Sequence, residues 1–130
     1  IIKESIDLHS CGISQYILTE YLKDEEKYEK HLQEIRDDYE KKANFFCEQL
    51  DKYLPEFKYE KPKGGMFLYG SFEGIDSFAL VQKCIEQKVV YVPGNQFYID
   101  KIPNGEIRFN YTHSSFEQIE KGIKLIKNCL

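Results

Sequence analysis

With 130 residues, 42% of them apolar and 15% aromatic, the chain is long enough to close one core and little more. A net charge of -4 with 31% charged residues describes an ordinary soluble surface with no basic stripe to track a phosphate backbone, so nucleic acid is excluded as this segment's own partner. Apolar runs of a few residues are too short to cross a bilayer, and neither a membrane span nor a signal peptide is expected.

In chain order, residues 11–22 read as a short helix with Ile13, Ile17 and Leu18 on one side. After the charged break at Lys23-Asp24-Glu25-Glu26, Tyr28, Leu32, Ile35, Tyr39, Ala43, Phe46 and Leu50 recur at spacings of three and four, one apolar stripe on a long helix that Pro55 stops. The period then changes to two. Phe57 and Tyr59 alternate with Lys58 and Glu60, and the turn at Lys61–Gly65 leads into a second strand, Met66-Phe67-Leu68-Tyr69. Residues 75–87 carry Phe78, Val81 and Ile85 at helical spacing, with Asp76 or Ser77 as the cap. Val89-Val90-Tyr91-Val92 reads as a continuous apolar strand ended by Pro93-Gly94. Ile107, Phe109 and Tyr111 alternate with Arg108, Asn110 and Thr112 in a further strand. Ser115 with Gln118 is a capping box opening the last helix, which is expected to bury Phe116, Ile119, Ile123, Ile126 and Leu130. This order implies an α+β layer: a small, mostly antiparallel sheet with helices packed on one face. Residues 1–23 are expected to form a connecting segment and helix, and 24–130 one domain.

Cys11, Cys47, Cys84 and Cys129 form no C-x-x-C pair, so zinc has no ligand spacing to use, and all four read as structural thiols of a cytoplasmic protein. His9, His31 and His113 fit no metal motif, and no Ser/His/Asp order emerges. The paired acids Glu25-Glu26 and Asp37-Asp38 read as solvated helix faces.

Arg108 is one of only two arginines, with Arg36. If Ile107, Phe109 and Tyr111 face the helices, Arg108 must point to the other side of the sheet. A planar, permanently charged fork in mid-strand calls either for an ion pair at the surface or for a carboxylate ligand. Gly64-Gly65 and Pro93-Gly94, at strand ends, suit tight turns or a close backbone approach.

Several segments, taken in order, resemble one family. Leu8-His9-Ser10-Cys11-Gly12-Ile13-Ser14-Gln15 is similar to the segment following the cofactor lysine in class I/II aminotransferases of fold type I. Tyr28-Glu29-Lys30-His31-Leu32, continuing to Arg36 and Tyr39, resembles the long helix opening their small domain. Pro62–Leu68 resembles their P-x-G-G-M-F strand, and Val90–Gly94 with Phe97-Tyr98 their V-x-x-x-P-G-x-x-F-Y loop. Ile107-Arg108-Phe109-Asn110 resembles their L-R-L-N strand, and Gly122 falls in the final helix as it does there. The resemblance covers nearly the whole chain.

It implies the C-terminal small domain of an enzyme that moves an amino group between an amino acid and a 2-oxo acid on pyridoxal phosphate. Arg108 then grips the substrate carboxylate, and Gly64 and Gly65 line the cleft between domains. No lysine here sits in the S-x-S-K-like context that holds the cofactor, and the acid that pairs with its pyridine nitrogen is missing. The chain opens Ile1-Ile2 and has Met66 as its only methionine, so a fragment is expected, inactive by itself and completed by a large domain in a homodimeric parent. A different class of protein also resembles it: a transcription regulator whose effector domain descends from these enzymes. Such regulators usually lose the G-G-M-F strand that Gly64–Phe67 keeps. A bare interaction module would explain the helices but not an arginine on the polar face of the last strand.

Overall fold

The computed structural model describes Ile6, residues 11–100, Ile102 and residues 104–130, and the chain falls into two compact units, Ile1–Arg36 and Asp37–Leu130. In the first, helix α1 (Gly12–Leu22) buries no side chain; Ile13, Tyr16, Ile17 and Leu18 are all exposed. Helix α2 (Glu25–Tyr53) begins where the Asp24 carboxylate accepts from the Lys27 amide at 3.0 Å, which satisfies one of the donors a helix start leaves free. The Tyr21 ring packs edge-on against Tyr28 and His31.

The second unit is a four-stranded sheet in the order β1-β2-β4-β3, antiparallel at every pairing, formed by β1 (Lys58–Tyr59), β2 (Phe67–Ser71), β3 (Val92–Pro93) and β4 (Glu106–Asn110). Helices α3 (Ser77–Glu86) and α4 (Phe116–Cys129) complete it. The core takes Ala43, Phe46, Cys47 and Leu50 from α2, Leu80, Val81 and Cys84 from α3, and Ile119, Ile123 and Ile126 from α4. The sheet contributes Leu68, Ile107 and Phe109, each at most 5% exposed, so one sheet face carries the helices. Each fully buried aliphatic side chain of this kind stabilises the fold by about 1.5–3 kcal/mol relative to an exposed one.

The local start and stop signals hold. Asp76, not Ser77, is the α3 cap, accepting from the amides of Phe78 (2.9 Å) and Ala79 (3.3 Å). Both halves of the Ser115–Gln118 capping box are formed.

Three readings of the sequence differ from the fold. Residues 89–91 are not strand: the amides of Gln87, Lys88 and Val89 turn back onto carbonyls of Cys84 and Ile85, Lys88 adopts φ 61°, and Val90 is left exposed. Helix α3 turns Ser77, Leu80, Val81 and Cys84 inward, leaving Phe78 and Ile85 exposed, and Phe116 and Leu130 of the last helix are exposed as well. Strand β4 ends at Asn110 because that side chain accepts from the amides of Thr112 (3.0 Å) and His113 (3.2 Å), turning the chain out of the sheet.

Candidate functional site

Strict alternation along β4 sends Ile107 and Phe109 into the core and leaves Glu106 and Arg108 on the opposite face. Strand β2 does the same with Leu68 and Gly70 inward and Phe67, Tyr69 and Ser71 outward. The antiparallel register sets Tyr69 and Val92 opposite Arg108, and Ser71 opposite Glu106. Phe67 and Tyr69 are then diagonal neighbours of Arg108 and Glu106, within reach of long side chains.

The Arg108 guanidinium carbon lies 4.3 Å from the centre of the Phe67 ring and 4.9 Å from that of Phe97. Two rings therefore lie against the cation, each contact contributing on the order of 0.5–2 kcal/mol. Its Nε is buried without a hydrogen-bond partner, and among the described residues no carboxylate comes within ion-pairing distance of its nitrogens. The surface ion pair that competed for this residue in the sequence is thus not formed among the described residues.

Phe97 arrives on a 3-10 turn (Gly94–Phe97) that follows β3 directly. Its ring also meets Tyr69 edge-on at 6.1 Å. Glu106 accepts hydrogen bonds from the Tyr69 hydroxyl at 3.0 Å and the Tyr98 hydroxyl at 3.1 Å. Burial first, then the bond to Glu106, pushes the Tyr69 hydroxyl well above the usual tyrosine range; for Tyr98 the bond to Glu106 is the leading cause. Both stay proton donors through the physiological range.

Of the two glycines singled out beside Arg108, Gly65 needs to be glycine for its backbone, with φ 84°. The space where a Cβ would stand is open at both Gly64 and Gly65. Their carbonyls accept from the buried Tyr111 hydroxyl at 3.4 and 2.7 Å, which ties the turn entering β2 to the strand that carries Arg108. Gly94 serves a close approach instead, since a Cβ there would stand 2.2 Å from the Glu106 Cβ.

Glu106, two residues before Arg108, shares its face by parity, but Phe67, Phe97, Tyr69 and Tyr98 were not readable as its neighbours from spacing. Parity along β2 was the one available signal for Phe67 and Tyr69; the return of residues 94–98 to the sheet had none. Two surface grooves, of about 680 and 440 Å³, lie elsewhere: one lined by Cys47, Asp51 and Tyr59, the other by Val89, His113 and Gln118. Neither includes Arg108. Among the described residues no three metal-ligating side chains cluster, and no helix is long and apolar enough to cross a membrane.

The family model described as aminotransferase class I and II matches residues 5–126. The chain belongs to the class I and II aminotransferase family. It is 34% identical to aromatic-amino-acid aminotransferase 1 of Thermococcus litoralis over 95% of this chain and 30% of that protein. With 2-aminoadipate transaminase of Thermus thermophilus it shares 30% identity over 98% of this chain and 32% of that one. A solved structure of α-aminoadipate aminotransferase from Thermus thermophilus, complexed with N-(5'-phosphopyridoxyl)-L-leucine, superposes with a TM-score of 0.88 at 28% identity, covering 99% of this chain and 33% of that one. Pyrococcus horikoshii kynurenine aminotransferase superposes with a TM-score of 0.87 at 34% identity, over 98% and 32%. The chain thus spans about a third of the length of the aminotransferases it matches.

The described residues do not fit the cofactor of the α-aminoadipate enzyme's adduct. Every described lysine but Lys42 is exposed, and the Lys42 ammonium is already engaged, donating to the Thr112 carbonyl at 2.8 Å and pairing with Asp38 at 3.2 Å. A Schiff-base lysine needs a desolvated, unpaired amine, and none is present among the described residues.

Proposed function

We propose that this chain is the C-terminal, small-domain part of a pyridoxal-phosphate-dependent aminotransferase, and that Arg108 grips the α-carboxylate of the amino-acid and 2-oxo-acid substrates. The observation that carries this reading is the state of Arg108: packed against the Phe67 and Phe97 rings, with an unpaired Nε and no protein carboxylate in reach among the described residues. The N–H donors of a guanidinium lie in its plane and so point along its edge, and a planar carboxylate meets that edge with two parallel charge-assisted bonds. Leaving a buried donor unpaired costs about 1–3 kcal/mol, which a ligand carboxylate would recover. Holding the carboxylate at two points fixes rotation of the substrate, which is how a binding residue contributes to the rate of a reaction at the neighbouring carbon.

In this reading the cofactor and its lysine belong to a large domain outside residues 1–130, residues 1–23 come from the large-domain side, and Gly64 and Gly65 face the cleft between domains. The chain alone is inactive, and the parent is a cytoplasmic homodimer. Pyridoxal phosphate would supply the electron sink for amino transfer; Arg108 would bind and orient.

The test is kinetic, on the full-length enzyme. Arg108→Ala lowers kcat/KM for the amino acid by about tenfold to a hundredfold, as expected for about 1.5–3 kcal/mol of charge-assisted binding. Arg108→Lys, which keeps the charge and loses the fork, falls between. The native enzyme discriminates strongly between an amino acid and the matching amine without a carboxylate, and the Ala variant hardly does. An Ala variant that unfolds while keeping that discrimination would make the arginine structural.

A further inference from the structure

An acid stands two residues from Arg108 on the same sheet face and does not pair with it. Residues two apart on a strand are separated by about 7 Å at Cα, a gap that a glutamate and an arginine side chain readily close between them. Instead, both oxygens of Glu106 are occupied: Oε2 by the Tyr69 hydroxyl at 3.0 Å and Oε1 by the Tyr98 hydroxyl at 3.1 Å. The two donors come from opposite sides, Tyr69 from β2 and Tyr98 from the end of the 3-10 turn. The backbone beneath is held too, with the Glu106 amide donating to Asn104 Oδ1 at 3.1 Å. At Gly94 there is no room for a Cβ, which would stand 2.2 Å from the Glu106 Cβ and 2.9 Å from the Tyr69 hydroxyl oxygen. The turn that delivers Phe97 onto Arg108 is thus seated directly on the base of the Glu106 side chain.

We propose that Glu106 is a positioning residue whose carboxylate is held away from Arg108 by Tyr69 and Tyr98, so that the guanidinium stays free for a substrate carboxylate. This rests on the reading of Arg108 as the carboxylate clamp. The acid ties the 3-10 turn to the sheet, which keeps Phe97 on the cation, and the two hydroxyls prevent that same acid from becoming an internal competitor. Both hydroxyls keep their protons well above neutral pH, so the restraint is present wherever the enzyme works. Removing them sets up an intramolecular equilibrium in which only the fraction of molecules with an unpaired Arg108 binds substrate. Apparent affinity then falls by that fraction, while the chemistry of the bound complex is unaltered.

The experiment is a cycle on the full-length holoenzyme. Tyr69→Phe/Tyr98→Phe raises KM for the amino acid about threefold to tenfold, the range expected for a competing, partly desolvated ion pair, and largely spares kcat. The defect shrinks with added salt, since screening weakens the Glu106–Arg108 attraction. Adding Glu106→Gln to the double variant removes the competing charge and brings KM back toward the native value. A packing defect left by the missing hydroxyls would not be repaired by neutralising a third residue. A crystal structure of the Tyr69→Phe/Tyr98→Phe enzyme should show a Glu106 oxygen within 4 Å of an Arg108 nitrogen. An unchanged KM in the double variant, or a raised KM that Glu106→Gln does not lower, overturns the role of Glu106 while leaving the clamp intact. If Arg108→Ala keeps full discrimination between the amino acid and its amine, the clamp itself is wrong and this inference falls with it.

Discussion

Replacing Gly105 by alanine would put a methyl carbon 1.8 Å from the Phe72 carbonyl oxygen and 3.2 Å from that of Ile75. Both obstacles are backbone, so no rotamer change relieves them. The strand would have to shift by more than an ångström just where the Phe72 amide donates to the Gly105 carbonyl at 3.0 Å and the Ser77 amide to Asn104 at 2.9 Å. Losing those two bonds costs about 1 kcal/mol each, and forced overpacking adds about 1–3 kcal/mol, so a total near 3–5 kcal/mol is expected. That is a large part of the stability of an ordinary domain, about 5–15 kcal/mol. Gly122 is the internal control. It lies within α4, and a Cβ there meets nothing within 4 Å, so Gly122→Ala should stabilise by about 0.5–1 kcal/mol through helix propensity alone. Urea unfolding measures both, with an unchanged slope and midpoints displaced in opposite directions. If Gly105→Ala unfolds at the native midpoint, the carbonyl approach is not what that glycine serves. A lowered midpoint for Gly122→Ala would refute the open space at α4.

Ser115→Ala removes the capping box at the start of α4 and should cost about 1 kcal/mol, read as a lower urea midpoint. Native alkylation at pH 8, followed by mass spectrometry, should label Cys11 first: it is exposed, and hydrogen bonds from the Ser14 amide and hydroxyl lower its thiol. Cys84, pushed up to about 12 by burial and by contact with Cys129, should label only on unfolding, and equal rates for the two would contradict the burial. The Tyr91 hydroxyl is raised above its ordinary value by burial and donates to the Ser77 carbonyl at 2.9 Å. Because its folded value lies above its unfolded one, that stabilisation is complete below about pH 10 and is lost as pH rises beyond it. Urea midpoints should therefore hold up to about pH 10 and fall progressively above it, and less steeply in Tyr91→Phe.

What could be read from the chain by itself was whatever short-range chemistry controls. The three-and-four spacing of α2, its stop before Pro55, and the caps at Asp76 and Ser115 each depend on residues within a turn or two of one another. The side of the sheet on which Arg108 lies follows from parity alone, since a strand alternates whatever it pairs with. Tertiary structure decided the rest. Phe78 and Ile85 share a helical stripe with Val81, yet α3 turns Ser77, Leu80 and Cys84 inward because the helix is docked by what the sheet and α4 present to it. The stretch at residues 89–91 has the composition of a strand, but the left-handed turn at Lys88 and the bonds back to α3 take its amides first. The neighbours of Arg108 depend on register, and register is a property of two strands rather than one. Tyr69 faces Arg108 only because β2 pairs antiparallel with β4 at that offset, and Phe97 reaches the guanidinium only because a 3-10 turn brings the chain back across Glu106. Glu106 stands beside Arg108 by alternation alone, but two phenylalanines and two tyrosines scattered from residue 67 to residue 98 are brought to them by contacts at long range, and those are what no local spacing encodes.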